Sequence, residues 1–256
     1  MFKSKVIIIT GSSTGIGAGT AVKFAMEGAM GIVLHGRQVE KLKKVKQRCE
    51  EVGKGEVRVH VCVGDITQEQ TRQQLIDETI KEFGQLDVLV NNAGISMRGT
   101  VSELPMDVFD KLFDVNVRSL VALTQLAIPH LTKSNGNIVN ISSGAAVKAL
   151  PMFTFYCMSK AALDHFTRCL AVELGPKGVR VNSINPGFIP DTEIVTRQGI
   201  PAELVKAHIE RAVQTYPLRR VGTIDEVADA IMYLASDKAK FITGTIVPVD
   251  GGAIQA

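Results

Sequence analysis

The stretch Val6-Ile7-Ile8-Ile9-Thr10-Gly11-Ser12-Ser13-Thr14-Gly15-Ile16-Gly17 decides the fold. Its first four residues are apolar and β-branched, the pattern of a short strand buried on both faces of a parallel sheet. Glycines follow at 11, 15 and 17, and Ile16, Ala21, Phe24 and Ala25 then recur at helical spacing. A strand that turns through glycines into a helix carries backbone N–H groups to the positive end of that helix, where a phosphate is held. The spacing is GxxxGxG, and glycine also meets purely steric needs in such turns.

Alternation of strand and helix continues outward from this unit. Residues 31–35 and 57–63 read as the second and third strands, the latter with period-two alternation. Runs at 86–90, 137–141, 179–184 and 245–249 bring the strands to seven. Helical patterns join them, and right-handed crossovers then imply a doubly wound parallel α/β sheet. A long helical stripe separates the fourth and fifth strands: Val108, Phe109, Leu112, Phe113, Asn116, Leu120, Leu123, Ala127 and Leu131. An asparagine on such a stripe is costly to bury without partners, so Asn116 is either a satisfied structural group or part of a site. No linker, repeat or low-complexity tract interrupts residues 1–256, which read as one domain.

Composition narrows the function. Of 256 residues, 45% are hydrophobic and 23 are glycine, which suits one large α/β core with many tight turns. The net charge of +3 is mild. The densest basic run, residues 41–48, lies on an amphipathic helix whose apolar side is Val39, Leu42, Val45, Cys49 and Val52, so it reads as a solvated face and not as a nucleic-acid surface. Cys49, Cys62, Cys157 and Cys169 form no CxxC pair and have no histidine at ligand spacing, so reduced thiols and no metal site are expected. No apolar run reaches the roughly 18 residues of a membrane helix. A strand begins almost at once, leaving no room for a signal peptide. A cytoplasmic chain without nucleic-acid or membrane partners is the expectation.

Residues 140–160 carry the chemistry. Ser142 and Ser143 end an apolar strand, where a hydroxyl can hydrogen-bond a reacting carbonyl. Tyr156 and Lys160 lie four apart at the start of a helical pattern, on one face of it. A phenol's ordinary pKa of about 10 is too high for acid–base work near neutrality. An ammonium at about 4 Å would stabilise the phenolate by roughly 4 kcal/mol at an effective dielectric of about 20. Lys160 is therefore expected to lower the phenol's pKa. Such a pair is also common on ordinary helices, and alone it establishes nothing.

With these elements placed, the chain resembles the short-chain dehydrogenase/reductase family over nearly its whole length. The motifs occur in order: TGxxxGIG at residues 10–17, Asp65 after the third strand, Asn91-Asn92-Ala93-Gly94 after the fourth, and Asn116 in the long helix. Ser143, Tyr156 and Lys160 (YxxxK), Pro186-Gly187 and Asp250-Gly251-Gly252 follow. The resemblance implies a Rossmann fold with sheet order 3-2-1-4-5-6-7 and an NAD(P)(H)-dependent interconversion of a carbonyl and a secondary alcohol. Tyr156 would be the acid in reduction and the base in oxidation, and Lys160 would lower its pKa and hold the nicotinamide ribose. Ser143, at the family's usual separation from Tyr156, would polarise the carbonyl, and Asn116 would complete a proton relay. Such roles suit hydride transfer, which creates an alkoxide that a nearby acid and donor stabilise.

The resemblance also implies the cofactor contacts. Gly11, Ser13, Thr14, Gly15, Ile16 and Gly17 would hold the phosphates, and Asp65 and Ile66 the adenine. Asn91, Asn92, Ala93 and Gly94 would line the adenosine side and ribose, while Tyr156, Lys160, Pro186, Gly187, Ile189 and Thr192 would meet the nicotinamide half. NAD enzymes place an acid after the second strand. Here Leu34-His35-Gly36-Arg37 lacks one, so NADP(H) is expected, with Arg37 on the 2′-phosphate. One departure stands out: where the family has threonine five residues after the proline, this chain has Asp191, with Thr192 next.

Ser96, Met97, Ala145, Met152, Phe153 and Phe188, with a mobile lid over 190–216, would form the substrate pocket. Its apolar character points to a hydrophobic carbonyl or alcohol substrate. A carrier-protein substrate is weakened by Lys133, Ser134 and Lys177, where such reductases usually carry arginines. The resemblance implies a homotetramer, or a dimer. Two rivals stand beside it. One is a non-catalytic dinucleotide sensor or scaffold. The other is a serine hydrolase with Ser13 in a GxSxG elbow, which needs a late histidine, His165 or His208, in a loop after a strand.

Overall fold

The computed structural model describes residues 1–196 and 201–256. The lid expected over 190–216 is thus described except at 197–200, which lie outside the described residues. The first half contains β1 (Val6–Ile9), α1 (Gly15–Met26), β2 (Gly31–Gly36), α2 (Val39–Val52), β3 (Arg58–Val63), α3 (Glu69–Phe83) and β4 (Val88–Asn91). Then come α4 (Met106–Phe113), α5 (Ser119–Ser134), β5 (Asn137–Ile141), α6 (Thr154–Leu174) and β6 (Arg180–Pro186). The chain ends with α7 (Glu193–Thr196), α8 (Ala202–Thr215), α9 (Ile224–Ala235) and β7 (Ile246–Val249).

Among the described residues, seven strands form one parallel sheet in the order β3-β2-β1-β4-β5-β6-β7, as expected. Period-two alternation divides the strand side chains between two cores. Ile7, Ile9, Ile32, Leu34, Val88, Val90, Val139 and Ile141 pack with residues of α1, α2 and α9. Ile8, Val33, Leu89 and Ile138 pack on the other side with residues of α3, α5 and α6. Burial on both faces is what the continuous apolar strands require. Because β1 pairs with both β2 and β4, strand order reverses there, and a crevice opens at the carboxyl ends of those strands.

The long helix between β4 and β5 departs from the expected single pattern. A π-helical turn, Asp114–Arg118, separates α4 from α5 and carries Asn116. Local π turns recur at functional sites because they re-aim one side chain without ending the helix. Here the turn directs a fully buried Asn116 toward the loop after β4.

Candidate active site

The glycine-rich turn packs against the loop after β4 too closely to admit side chains. Gly11 has φ +64°, and a Cβ there would lie 2.9 Å from Ala93 Cα. A Cβ on Gly17 would lie 2.5 Å from Asn92 Nδ2. Asn92 itself staples the turn, with Nδ2 donating to the carbonyls of Thr10 (2.8 Å) and Gly11 (3.0 Å). Thr10 Oγ1 accepts from the amides of Asn92 and Ala93, both at 3.0 Å. Thr14 caps α1 through its backbone alone, with no side-chain hydrogen bond to the first-turn amides. These features fit a dinucleotide phosphate, with residues 13–17 as its backbone donors.

Asn116, Ser143, Tyr156 and Lys160 converge beyond β5. Ser142 Oγ donates to the Lys160 carbonyl at 3.1 Å, which ties it into α6. Ser143 is the serine that stands beside the Tyr156 phenol and pulls its pKa down, and its Oγ accepts from Ala145 N at 3.1 Å. Lys160 is buried, donates from Nζ to the Ile141 carbonyl at 2.8 Å, and stands 5.8 Å from the Tyr156 ring centroid. A Cβ on Gly94 would lie 3.5 Å from that Nζ, in ordinary contact, which places this loop beside the ammonium. Asn116 Nδ2 donates to Ile95 O (2.9 Å) and to Ser159 Oγ (3.1 Å), while its Oδ1 accepts from Ile95 N (2.9 Å). Ser159 in turn donates to the Tyr156 carbonyl at 2.8 Å.

The electrostatics correct one expectation. Burial pushes the Tyr156 phenol up to about 12, and the Ser143 hydrogen bond opposes that rise. Burial pushes the Lys160 ammonium down to about 8, against a pull upward from Asp164. The net shift of the phenol is therefore upward and not downward.

At the adenosine end, Arg37 lies exposed beyond β2, with Nη1 3.6 Å from Asp65 Oδ2. Burial raises the Asp65 pKa, but hydrogen bonds from Thr67 and the Arg37 charge outweigh it and hold the carboxyl below the usual range. Ile66 is buried in the second core beside the crevice. The Asn91 side chain points into the sheet interior, bonded to Thr124 and Asn140, so it offers the crevice no donor.

Comparison with known proteins decides the family. The family model described as enoyl-(acyl carrier protein) reductase matches residues 11–253. A crystal structure of a Caenorhabditis elegans short-chain dehydrogenase/reductase of unknown function, with cofactor, superposes with a TM-score of 0.92 at 36% identity, covering 100% of this chain and 97% of that one. The chain belongs to the short-chain dehydrogenase/reductase family. An uncharacterized oxidoreductase of Thermotoga maritima is 37% identical, with 98% of both chains covered. A versicolorin reductase of Emericella nidulans is 35% identical, with 98% of this chain and 96% of that one covered. As a short-chain dehydrogenase/reductase the chain is an oxidoreductase acting between CH–OH and C=O, on a small molecule.

The remaining family positions fall around the same crevice. Gly187 meets the last turn, where an added Cβ would lie 2.8 Å from Asp250 Cα, and Pro186 pairs with Val249 at the sheet edge. Asp191 is exposed, while Thr192 is buried 3.5 Å from where a Gly15 Cβ would stand. Of the two, Thr192 is the one that faces inward. Its Oγ1 donates to the carbonyl of the buried Ile189 at 2.8 Å. Ser96 and Ala145 are buried, Met152 and Phe188 partly so, and Met152 adopts φ +68° while its carbonyl accepts from Gly99 N at 2.8 Å. Phe188 packs on His208 at 4.3 Å between centroids, and His208 Nε2 is 3.2 Å from Tyr216 Oη.

That engagement of His208, and the exposure of His165 on α6, leave neither placed as the base of a triad with Ser13. Among the described residues, no helix is long and apolar enough to cross a membrane. Sequence reasoning missed Ser159, which bridges Asn116 and Tyr156, and a Lys41–Glu193 ion pair joining α2 to the start of the lid. Ser159 was open to reading, since it lies three residues after Tyr156 on the same helix.

Proposed function

We propose that the chain is a cytoplasmic NADP(H)-dependent reductase of an apolar carbonyl compound, with Tyr156 as proton donor. One observation carries this reading: Tyr156 sits beside Ser143, and Lys160, one helical turn on, lies next to Gly94 in the loop on which the glycine turn packs. When bound, the nicotinamide supplies the hydride. Ser143 polarises the carbonyl and stabilises the oxygen as it gains charge. A phenol near 12 stays protonated at neutral pH. It remains a far stronger acid than an alcohol comparable to water, whose pKa is about 15.7, so it gives its proton readily to an alkoxide. Lys160 places a cation where the ribose hydroxyls and the phenolate left behind both meet it, and Asn116 fixes the Ile95 backbone and Ser159 beside it.

Arg37, without a carboxylate at the end of β2, supports NADP(H) through the 2′-phosphate. The rival NAD(H) reading is favoured by Asp65, whose carboxylate sits at the same rim and draws on the Arg37 charge. Ala145, Met152 and Phe188 support an apolar substrate. A tetramer belongs to the same reading, supported by the fully exposed Phe241 shortly before the edge strand β7.

The test is a panel of aromatic, alicyclic and sugar carbonyls offered with NADPH and with NADH, followed at the reduced-nicotinamide absorbance. We expect turnover of apolar ketones with NADPH. Tight NADPH binding with no turnover across the panel would instead establish a sensor.

A further inference from the structure

We propose that Asp164 is a positioning residue for the reaction centre, its buried carboxylate holding the Lys160 ammonium in its charged form beside Tyr156. Tyr156, Lys160 and Asp164 recur at i, i+4 and i+8 along α6 and so stand above one another on one helix face. The tyrosine end of that row meets Ser143, and the aspartate end is sunk against β6. Asp164 is 4% exposed, and a carboxylate so far from water is costly unless its charge is compensated. Asn185 Nδ2 donates to its Oδ2 at 2.8 Å and Ser183 Oγ to its Oδ1 at 3.3 Å. These donors are neutral. Among the described residues Asp164 makes no direct ion pair, and Lys160, itself buried, is the lysine one turn before it on the same face of α6.

A plain structural role, stapling α6 to β6, does not require a carboxylate. An asparagine at 164 would accept from Asn185 and donate to Ser183, and the Ser183 hydroxyl already lies 3.3 Å from Asn185 Oδ1, ready to donate there. The hydrogen bonds survive the exchange and only the charge is lost. Other elements packed around the Lys160 ammonium offer no rival to that charge. The strand β5 presents the Ile141 carbonyl, the loop after β4 presents Gly94, and the π turn presents the Asn116 carboxamide, none of which titrates. Asp114 and Arg118 of that turn pair with each other at 3.6 Å on its outer side. Within α6 itself the titratable neighbours are Tyr156, Cys157 and Asp164. Burial drives the lysine toward its neutral form, and Asp164 is the charge that opposes this. The consequence for turnover rests on the reading of Tyr156 and Lys160 given above, whereas the ionisation of Lys160 does not.

The experiment titrates the Nζ resonance of Lys160 in the full-length protein labelled with 15N-lysine, assigned by its absence in Lys160→Met. In Asp164→Asn the midpoint is expected to fall by about one pH unit or more from its value near 8. The alkaline limb of kcat for carbonyl reduction should move with it, with KM little changed. Ser183→Ala, which trims the network but keeps the charge, should leave the midpoint in place. An unmoved midpoint in Asp164→Asn overturns the proposal, and so does a Ser183→Ala shift as large as that of Asp164→Asn. Should Asp164→Asn not accumulate folded, Asp164→Glu keeps the charge one methylene further out and must hold the midpoint within about half a unit; a larger fall is equally fatal. The resonance is read without turnover, so a failed catalytic assignment of Tyr156 leaves this result standing.

Discussion

Asn116 grips the backbone of Ile95 with both ends of its carboxamide, Nδ2 donating to the carbonyl and Oδ1 accepting from the amide, each at 2.9 Å. A side chain with no exposed surface thereby satisfies two partly buried main-chain groups in the loop after β4. The loop and the π turn are locked together, and Gly94 is set beside Lys160.

Cutting that grip has a defined cost. Asn116→Ala leaves the Ile95 N–H and C=O without partners, and each unsatisfied group costs about 1–3 kcal/mol. We expect a loss of about 2–4 kcal/mol in urea unfolding, together with reduced turnover. A variant as stable as the parent would show that the two contacts carry no stability.

Tyr156→Phe removes the proposed donor and little volume. General acid catalysis is worth about 10²–10⁴-fold, and kcat should fall by that range. NADPH binding, followed by fluorescence, should change little. Activity within a few-fold of the parent would assign the proton to another group.

Arg37→Asp tests the cofactor. It removes the cation at the adenosine rim and sets a second carboxylate near Asp65. The ratio of kcat/KM with NADPH to that with NADH should fall by about 100-fold or more, the weight of losing a charge-assisted phosphate contact worth about 1.5–3 kcal/mol and gaining a repulsion. An unaltered ratio would remove Arg37 from phosphate recognition.

Acid sensitivity should trace to His35. The residue is 2% exposed, neither ring nitrogen finds a partner of good geometry, and burial pushes its pKa from 6.5 down to about 4. Between those values the unfolded chain takes up a proton that the folded chain refuses, so stability falls as pH drops through the window and is regained above it. The full loss is up to about 3 kcal/mol. His35→Leu should flatten this dependence in unfolding titrations at mildly acidic and neutral pH. If variant and parent lose stability in parallel, the acid sensitivity lies elsewhere.

Sheet order and the strands could be read because apolar, β-branched runs bounded by glycine turns leave few topologies open, and β1 through β7 lie within two residues of where periodicity placed them. Ser143, Tyr156 and Lys160 were legible as spacing. What their ionisation would be was not, because pKa depends on burial, which spacing does not encode, and Tyr156 shifted the opposite way. The π turn was hidden because the stripe from Val108 to Leu131, which recurs every three or four residues, reads as one regular helix. Asp164 was hidden for a related reason, as an aspartate on a helix reads as solvated until packing encloses it. Asn91 shows the converse, a motif residue whose side chain turns inward to Thr124 and Asn140.

A regular α-helix advances about 100° per residue, so the single inserted position in the Asp114–Arg118 turn rotates everything after it by about that angle. Phe109, which meets Phe155 edge-on, and Leu123, which meets the sheet, lie on either side of this offset. Any attempt to transplant this centre onto an ideal helical hairpin must therefore import the irregularity along with the side chains. A straightened version would keep every catalytic letter and aim the carboxamide at the wrong wall.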